Sequence, residues 1–333
     1  HGQTPELLAS GSIVEYLVSY DAATGKELWR LAMDTLLETE FGHGARATAA
    51  VDDNMVYMVS GSGIMLAATT DGKEVWRTSF VDTFGSTRPQ WGFSNSPVIE
   101  GDLVIVTPGG TEGYMVALDK KTGEKKWGAL KNKNAGYCTP TRVSLGGVRQ
   151  LVIATGGNAY GVDTKGNELW QAPFGRYAPI ASPIFVAPDK FLFSSNDEGF
   201  GMVIQVKAEA GSYTATELWR SKRFKNHFSA SVALGEHLVG FDVATLKCIN
   251  AATGEQVWAK RGFGKGSLIM AGDKLLLLSD RGKLIMCNAN AEVFTQLASV
   301  QAMEGRSWTA PVVVGTRVYL RNMTEMVCYD LAK

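Results

Sequence analysis

Twelve side chains suited to recognition stand in seven short segments: "FGHGARAT", "STRPQWGFSNS", "NKNAGYCT", "FGRYAPIAS", "FKNHFSAS", "GFGKGS" and "EGRSWTA". Arg46, Arg88, Arg176, Lys265 and Arg306 bring cations, and Trp91, Tyr137, Tyr177 and Trp308 bring aromatic faces. Asn95, Asn226 and His227 add groups that both donate and accept hydrogen bonds. Aromatic faces interleaved with guanidinium and amide groups suit a planar or sugar-like ligand, an anionic one above all, through stacking and bidentate hydrogen bonds. The plainer arrangement has the aromatics packing on one another while the cations are solvated.

Other chemistry is poorly supplied. "RGFGKGS" at 261–267 has the glycines of a phosphate loop but not the Gly-Lys-Ser/Thr order, and it reads as a turn entering a strand. His43 and His227 fall in these segments, but His237 does not, so no zinc set forms. No G-x-S-x-G elbow is present. The triplet "NMT" at Asn322 fits a glycosylation sequon, a pattern that chance produces often. Cys138, Cys248, Cys287 and Cys328 lack metal-ligand spacing, and Cys248 and Cys328 are expected to be buried small hydrophobes.

Composition narrows the partners. The chain has 333 residues, with 33 Lys and Arg against 33 Asp and Glu. That balance leaves no electrostatic footprint for nucleic acid. No apolar run approaches the roughly 20 residues that span a bilayer. The stretch from His1 contains no signal-like targeting segment, so a processed chain or a fragment is expected.

The elements that must position the twelve residues repeat. "DAATGKELWR" at 21–30 returns as "DKKTGEKKWG" at 119–128 and "NAATGEQVWA" at 250–259. Trp29, Trp76, Trp127, Trp170, Trp219 and Trp258 keep one beat, and Asp21, Asp119, Asp163, Asn250, Asn288 and Asp330 keep another, with skipped copies near Ala68 and Gln205. A period of about 40 to 50 residues marks a repeat architecture. Each unit divides into four strand-like runs, such as "SPVIE", "LVIVTP", "YMVALD" and "KKWGAL", separated by Gly-containing turns. Gly101, Gly235, Gly272, Gly315 and Asp53 open the first turn of their units, where a tight hairpin needs positive φ. In the phrase, Asp accepts hydrogen bonds from the turn, Gly takes the left-handed conformation, and Trp, burying about 150 to 250 Å², wedges one sheet against the next.

The expected fold is therefore an all-β β-propeller of four-stranded antiparallel blades, one domain over residues 1–333, with eight blades and seven as the alternative count. Residues 1–32 supply three strands of a unit, beginning with "PELLAS", and 309–333 supply three others, so the terminal blades are expected to be incomplete, with chain upstream of His1 completing the last one. The twelve residues fall in the loops that lead from the fourth strand of one unit to the first of the next.

"AATGKELW", "ALDKKTGEKKW" and "INAATGEQVW" resemble the pyrroloquinoline-quinone-like propeller repeat. "RPQWGFSNSPVIEGDLVIVTPGG", "KNHFSASVALGEHLVGFD" and "RGFGKGSLIMAGDKLLLLSDRGKL" are similar to its uncharacterised secreted bacterial members. The resemblance implies a periplasmic or secreted protein. Its dehydrogenase branch would imply pyrroloquinoline quinone with calcium, a carboxylate base and often two adjacent bonded cysteines. This chain has no adjacent cysteines and few carboxylates in the seven segments, Asp82 and Glu304 being peripheral, so no cofactor is expected and no catalytic residue is carried over. The favoured expectation is a non-enzymatic propeller holding a small molecule, glycan or protein segment. The alternatives are a quinone-dependent oxidoreductase and a protein scaffold like the outer-membrane assembly lipoprotein of the same family.

Overall fold

A computed structural model describes residues 14–332. Antiparallel strands of three to ten residues make up nearly all of its regular structure. The chain forms two compact units, residues 1–140 with 161–169, and residues 141–160 with 170–333.

The first unit holds a hairpin, Val14–Tyr20 with Glu27–Thr35, and two four-stranded sheets. These are Ala50–Asp52, Met55–Val59, Ile64–Thr69 and Glu74–Ser79, then Val98–Glu100, Leu103–Val106, Met115–Asp119 and Lys125–Ala129. Thr141–Leu145, Val148–Ala154, Asn158–Asp163 and Glu168–Pro173 form a further four-stranded sheet. The second unit adds Ile184–Val186, Lys190–Ser195, Phe200–Glu209 and Ser212–Ser221, and then Val232–Leu234, His237–Asp242, Thr245–Asn250 and Gln256–Lys260. It continues with Ser267–Ala271, Lys274–Leu278, Lys283–Asn288 and Gln296–Gln301, and ends on three strands, Val312–Val314, Arg317–Arg321 and Met326–Asp330.

Counting sheets of three or more strands, the described residues hold seven, which corrects the expected eight to the alternative count. The leading hairpin has two strands among the described residues, and the further strand expected in "PELLAS" lies outside them.

Second and third strands read as unbroken apolar runs because each is covered on both faces. Met65, Leu66 and Ala67 are all buried, as are Leu275, Leu276, Leu277 and Leu278. The cores lie between successive sheets: Val239, Phe241 and Cys248 of one pack with Leu275, Leu277 and Ile285 of the next. First strands follow one another in space, 50–52 beside 98–100 in the first unit, and 141–145, 184–186, 232–234 and 267–271 in series in the second.

The phrase acts as a coupler. Asp21 Oδ1 accepts from the backbone N–H groups of Ala23 and Thr24, Asp119 from Lys121 and Thr122, and Asn250 from Ala252 and Thr253, at 2.8 to 3.1 Å. Each Trp then reads the glycine of the following sheet. A Cβ on Gly72, Gly123, Gly166 or Gly254 would lie within 2.7 to 2.9 Å of the indole of Trp29, Trp76, Trp127 or Trp219. The same four indole N–H groups donate to the carbonyls of Thr70, Lys120, Thr164 and Ala251 in those turns, at 2.8 to 3.2 Å. The glycine is thus required by its positive φ and again by the ring lying on it.

Where the following turn lacks the phrase, the Trp changes partner. Trp170 is buried, donates to Gln150 Oε1 at 2.8 Å and packs on Phe191. Trp258 packs edge-on against Phe294. Asn288 is a strand residue, and Asn290 takes the turn-capping role assigned to it, accepting from Glu292 and Val293.

Strand register sets a small residue of the third strand against the Trp. Ser19, Ala67, Ala117 and Cys248 lie opposite Trp29, Trp76, Trp127 and Trp258. Cys248 is buried, as expected, and burial pushes its thiol up to about 11. Cys328 is exposed, against expectation, because its strand is the edge of the three-stranded sheet and no Trp-bearing strand faces it among the described residues.

Candidate functional site

The structure sorts the twelve residues into two clusters, a separate pair, two internal amides and one solvated side chain. In the first unit, Trp91 lies between Phe41, edge-on at 5.9 Å, and Tyr137 at 5.5 Å. Arg46 is the cation of this cluster, and its charge is already spent. Its guanidinium donates to the carbonyls of Gly44 at 3.1 Å and Gly42 at 3.0 Å and to the Thr39 hydroxyl. Burial, opposed by Glu15 and Tyr137, lowers its pKa.

Glu15, from the leading hairpin, is 3 % exposed. Burial above all raises its carboxyl from 4.5 to about 7, aided by Asp34 and resisted by the Gly61 backbone and Arg46. This cluster is closely packed, and within it Trp91 Nε1 and both Glu15 carboxylate oxygens are buried without a side-chain hydrogen-bond partner among the described residues. Arg88 stands apart from it, exposed.

In the second unit the rings stack in series. His227 lies on Phe228 with centroids 3.7 Å apart, and Phe228 on Trp308 at 4.7 Å. Two cations cap these rings, Lys265 Nζ 5.4 Å from the Phe228 centroid and Arg306 Cζ 4.7 Å from that of Trp308. Among the described residues neither cation has a carboxylate partner within salt-bridge distance. Burial first, then Lys265, lowers the His227 pKa, and Asp197 opposes them.

Buried polar anchors hold these loops. Asn226 donates to the Phe241 carbonyl at 3.0 Å and accepts from Ser231 Oγ at 3.0 Å, while Lys225 and Lys247 pair with Asp242 at 2.9 and 2.6 Å. Residues 225 and 226 are thereby pinned, and His227 and Phe228 follow directly. Asp280 anchors both cation-bearing segments: its carboxylate accepts from the Lys265 N–H at 3.2 Å and its carbonyl from the Ser307 N–H at 3.0 Å.

Asn95 and Asn226 are buried and bond within the chain. Asn95 donates to the Thr107 carbonyl and Asn226 to that of Phe241, at 3.0 Å each. Arg176 and Tyr177 pair with each other on an exposed loop, the guanidinium 5.5 Å from the ring centroid, and the Tyr177 N–H donates to Glu198. Asn322 is also internal, donating to the Glu304 carbonyl at 2.7 Å and accepting from the Thr324 and Glu325 N–H groups, so its sequon is not presented.

The reading also missed Phe41, Phe228 and the carboxylates. In an antiparallel meander, the turn between second and third strands lies at the same end as the loop joining successive sheets. Asp197, Glu198 and Asp280 arrive through such turns, so the acid supply at this end is richer than the seven segments indicate.

A family model described as outer membrane protein assembly factor BamB matches residues 14–213 and 201–333. The chain belongs to this family. A curated relative of that name from Burkholderia pseudomallei (strain K96243) is 28 % identical over 169 residues, a match that covers 50 % of this chain and 42 % of the relative. The chain therefore matches less than half of that relative's length. The crystal structure of BamB from Moraxella catarrhalis superposes with a TM-score of 0.66 at 15 % identity, covering 98 % of this chain and 94 % of that one. The computationally designed Ika8 protein gives 0.65 at 14 % identity, covering 97 % and 94 %. Citrobacter koseri AztD gives 0.62 at 9 %, covering 96 % and 89 %. At these identities the likeness establishes the fold, an all-β propeller of four-stranded antiparallel blades carrying the pyrroloquinoline-quinone-like repeat.

The quinone branch finds a poor fit in this family member. Among the described residues no three His, Cys, Asp or Glu side chains are grouped to hold a metal ion. A calcium bound mainly through carboxylates has no donor set there. No helix among the described residues is long and apolar enough to cross a membrane.

Proposed function

We propose that this chain is a non-enzymatic binding propeller of the periplasm that holds a protein segment, working as a scaffold in outer-membrane protein assembly. The family match across residues 14–333 carries the reading. The docking face in this reading is the second-unit loop cluster of His227, Phe228, Lys265, Arg306 and Trp308. Its aromatic rings and Arg306 are of the residue types that anchor protein interfaces.

Photo-crosslinking tests this reading. A photoactivatable residue in place of Phe228 is expected to form adducts with protein components of the source organism's outer-membrane assembly machinery. The same residue in place of Val257, exposed on a fourth strand, is expected to form none. Equal labelling at both positions, or none at position 228, would refute the proposed face.

A further inference from the structure

We infer that the second-unit cluster selects an acidic peptide segment, with Lys265 and Arg306 receiving its carboxylates. The inference rests on the protein-binding reading above and names the chemistry of the segment. Two cations held over ring faces, 5.4 and 4.7 Å from the centroids, without carboxylate partners within salt-bridge distance among the described residues, are an unmet demand for negative charge. Both segments are anchored at one residue, since the Asp280 carboxylate accepts from the Lys265 N–H and its main-chain carbonyl from the N–H of Ser307, next to Arg306. The Asp280 carboxylate is directed at the Lys265 backbone, which leaves the ammonium for a ligand.

Nearby charge sets how much anion the cluster takes. Asp197 lies close enough to His227 to affect its protonation, and the next residue, Glu198, caps the neighbouring loop at Tyr177. The Asp197 carboxylate beside the ring stack disfavours a dense polyanion such as a multiply phosphorylated headgroup. Separated carboxylates on an extended peptide can meet Lys265 and Arg306 singly. Burial and Lys265 both disfavour the imidazolium of His227, and Asp197 opposes them.

Calorimetry on the whole chain tests this with three probes: a capped glutamate-rich peptide, its glutamine counterpart and inorganic phosphate. The glutamate peptide is expected to bind, more weakly as salt rises, and the glutamine peptide at least about tenfold more weakly, a difference of about 1.4 kcal/mol. The double variant Lys265→Gln with Arg306→Gln should lose that preference, whereas Lys207→Gln, on an exposed strand position elsewhere in the same unit, should retain it. Equal binding of the two peptides, displacement by phosphate at matched concentration, or an unchanged double variant would each overturn the inference. Crosslinks from position 228 that persist while the glutamate peptide fails to bind would sink this inference and leave the protein-binding reading intact. Binding of the peptide without such crosslinks would do the reverse.

Discussion

The two units present nearly the same side-chain types, and their chemistry diverges because of what the backbone places within reach. In the first unit Arg46 finds the Gly42 and Gly44 carbonyls and the Thr39 hydroxyl, and its charge is used internally. In the second, Arg306 and Lys265 find ring faces, which attract a cation but do not neutralise it. Composition therefore predicts a cluster, and local carbonyl geometry decides whether that cluster supports the fold or remains available to a ligand.

Removing the two arginines separately tests that contrast, with the largest expected effect first. Arg46→Met leaves three backbone and hydroxyl acceptors without their donor and Glu15 without its nearby cation, at an expected cost of about 2 to 3 kcal/mol in denaturant unfolding. Arg306→Met is expected to stay within about 0.5 kcal/mol of the parent. Similar costs for the two variants would dissolve the distinction.

Glu15 sharpens the contrast through pH. Its folded-state pKa of about 7 lies above the ordinary 4.5, so the fold favours the neutral carboxyl. The stability it contributes is fully present below pH 4.5 and is lost as pH rises through about 7. Glu15→Gln keeps the group neutral. It is expected to exceed the parent by on the order of 2 to 3 kcal/mol around pH 8, with the difference vanishing in acid. Unfolding curves measured across this range check the sign, and a variant less stable than the parent at alkaline pH would refute it.

Much of the fold was legible because the repeat carries its own punctuation. Gly101, Gly235, Gly272 and Gly315 all adopt the positive φ that their turns require. The partner of each Trp was not legible, because it depends on whether the following sheet has the phrase glycine, as Trp76 and Trp258 show in opposite ways. In the loops, residue type picked out Trp308, Lys265 and Arg306, which stand in one cluster, but gave no sign that Asn95 and Asn226 are buried and bond internally. Type alone cannot say that an amide lies against a main-chain carbonyl. Asp280 could have been found from the antiparallel order alone, since alternating strand direction brings its turn to the same end as the joining loops.

The smallest expected effect concerns the electrostatics of the second cluster. Burial is the main reason the His227 imidazole resists protonation, and Lys265 is the second, so the fold favours the neutral ring. A lowered folded-state value means that the unfolded chain takes up the proton more readily, so stability present above pH 6.5 is lost as pH falls below it. Lys265→Gln removes one cause and should move the imidazole titration upward when followed by NMR of the ring protons. Asp197→Asn removes the opposing charge and should move it downward. Because desolvation persists in both variants, neither shift should restore the ordinary value. An imidazole indifferent to both changes would mean that Lys265 does not act at this ring stack, and the unspent-cation side of the contrast would fall with it.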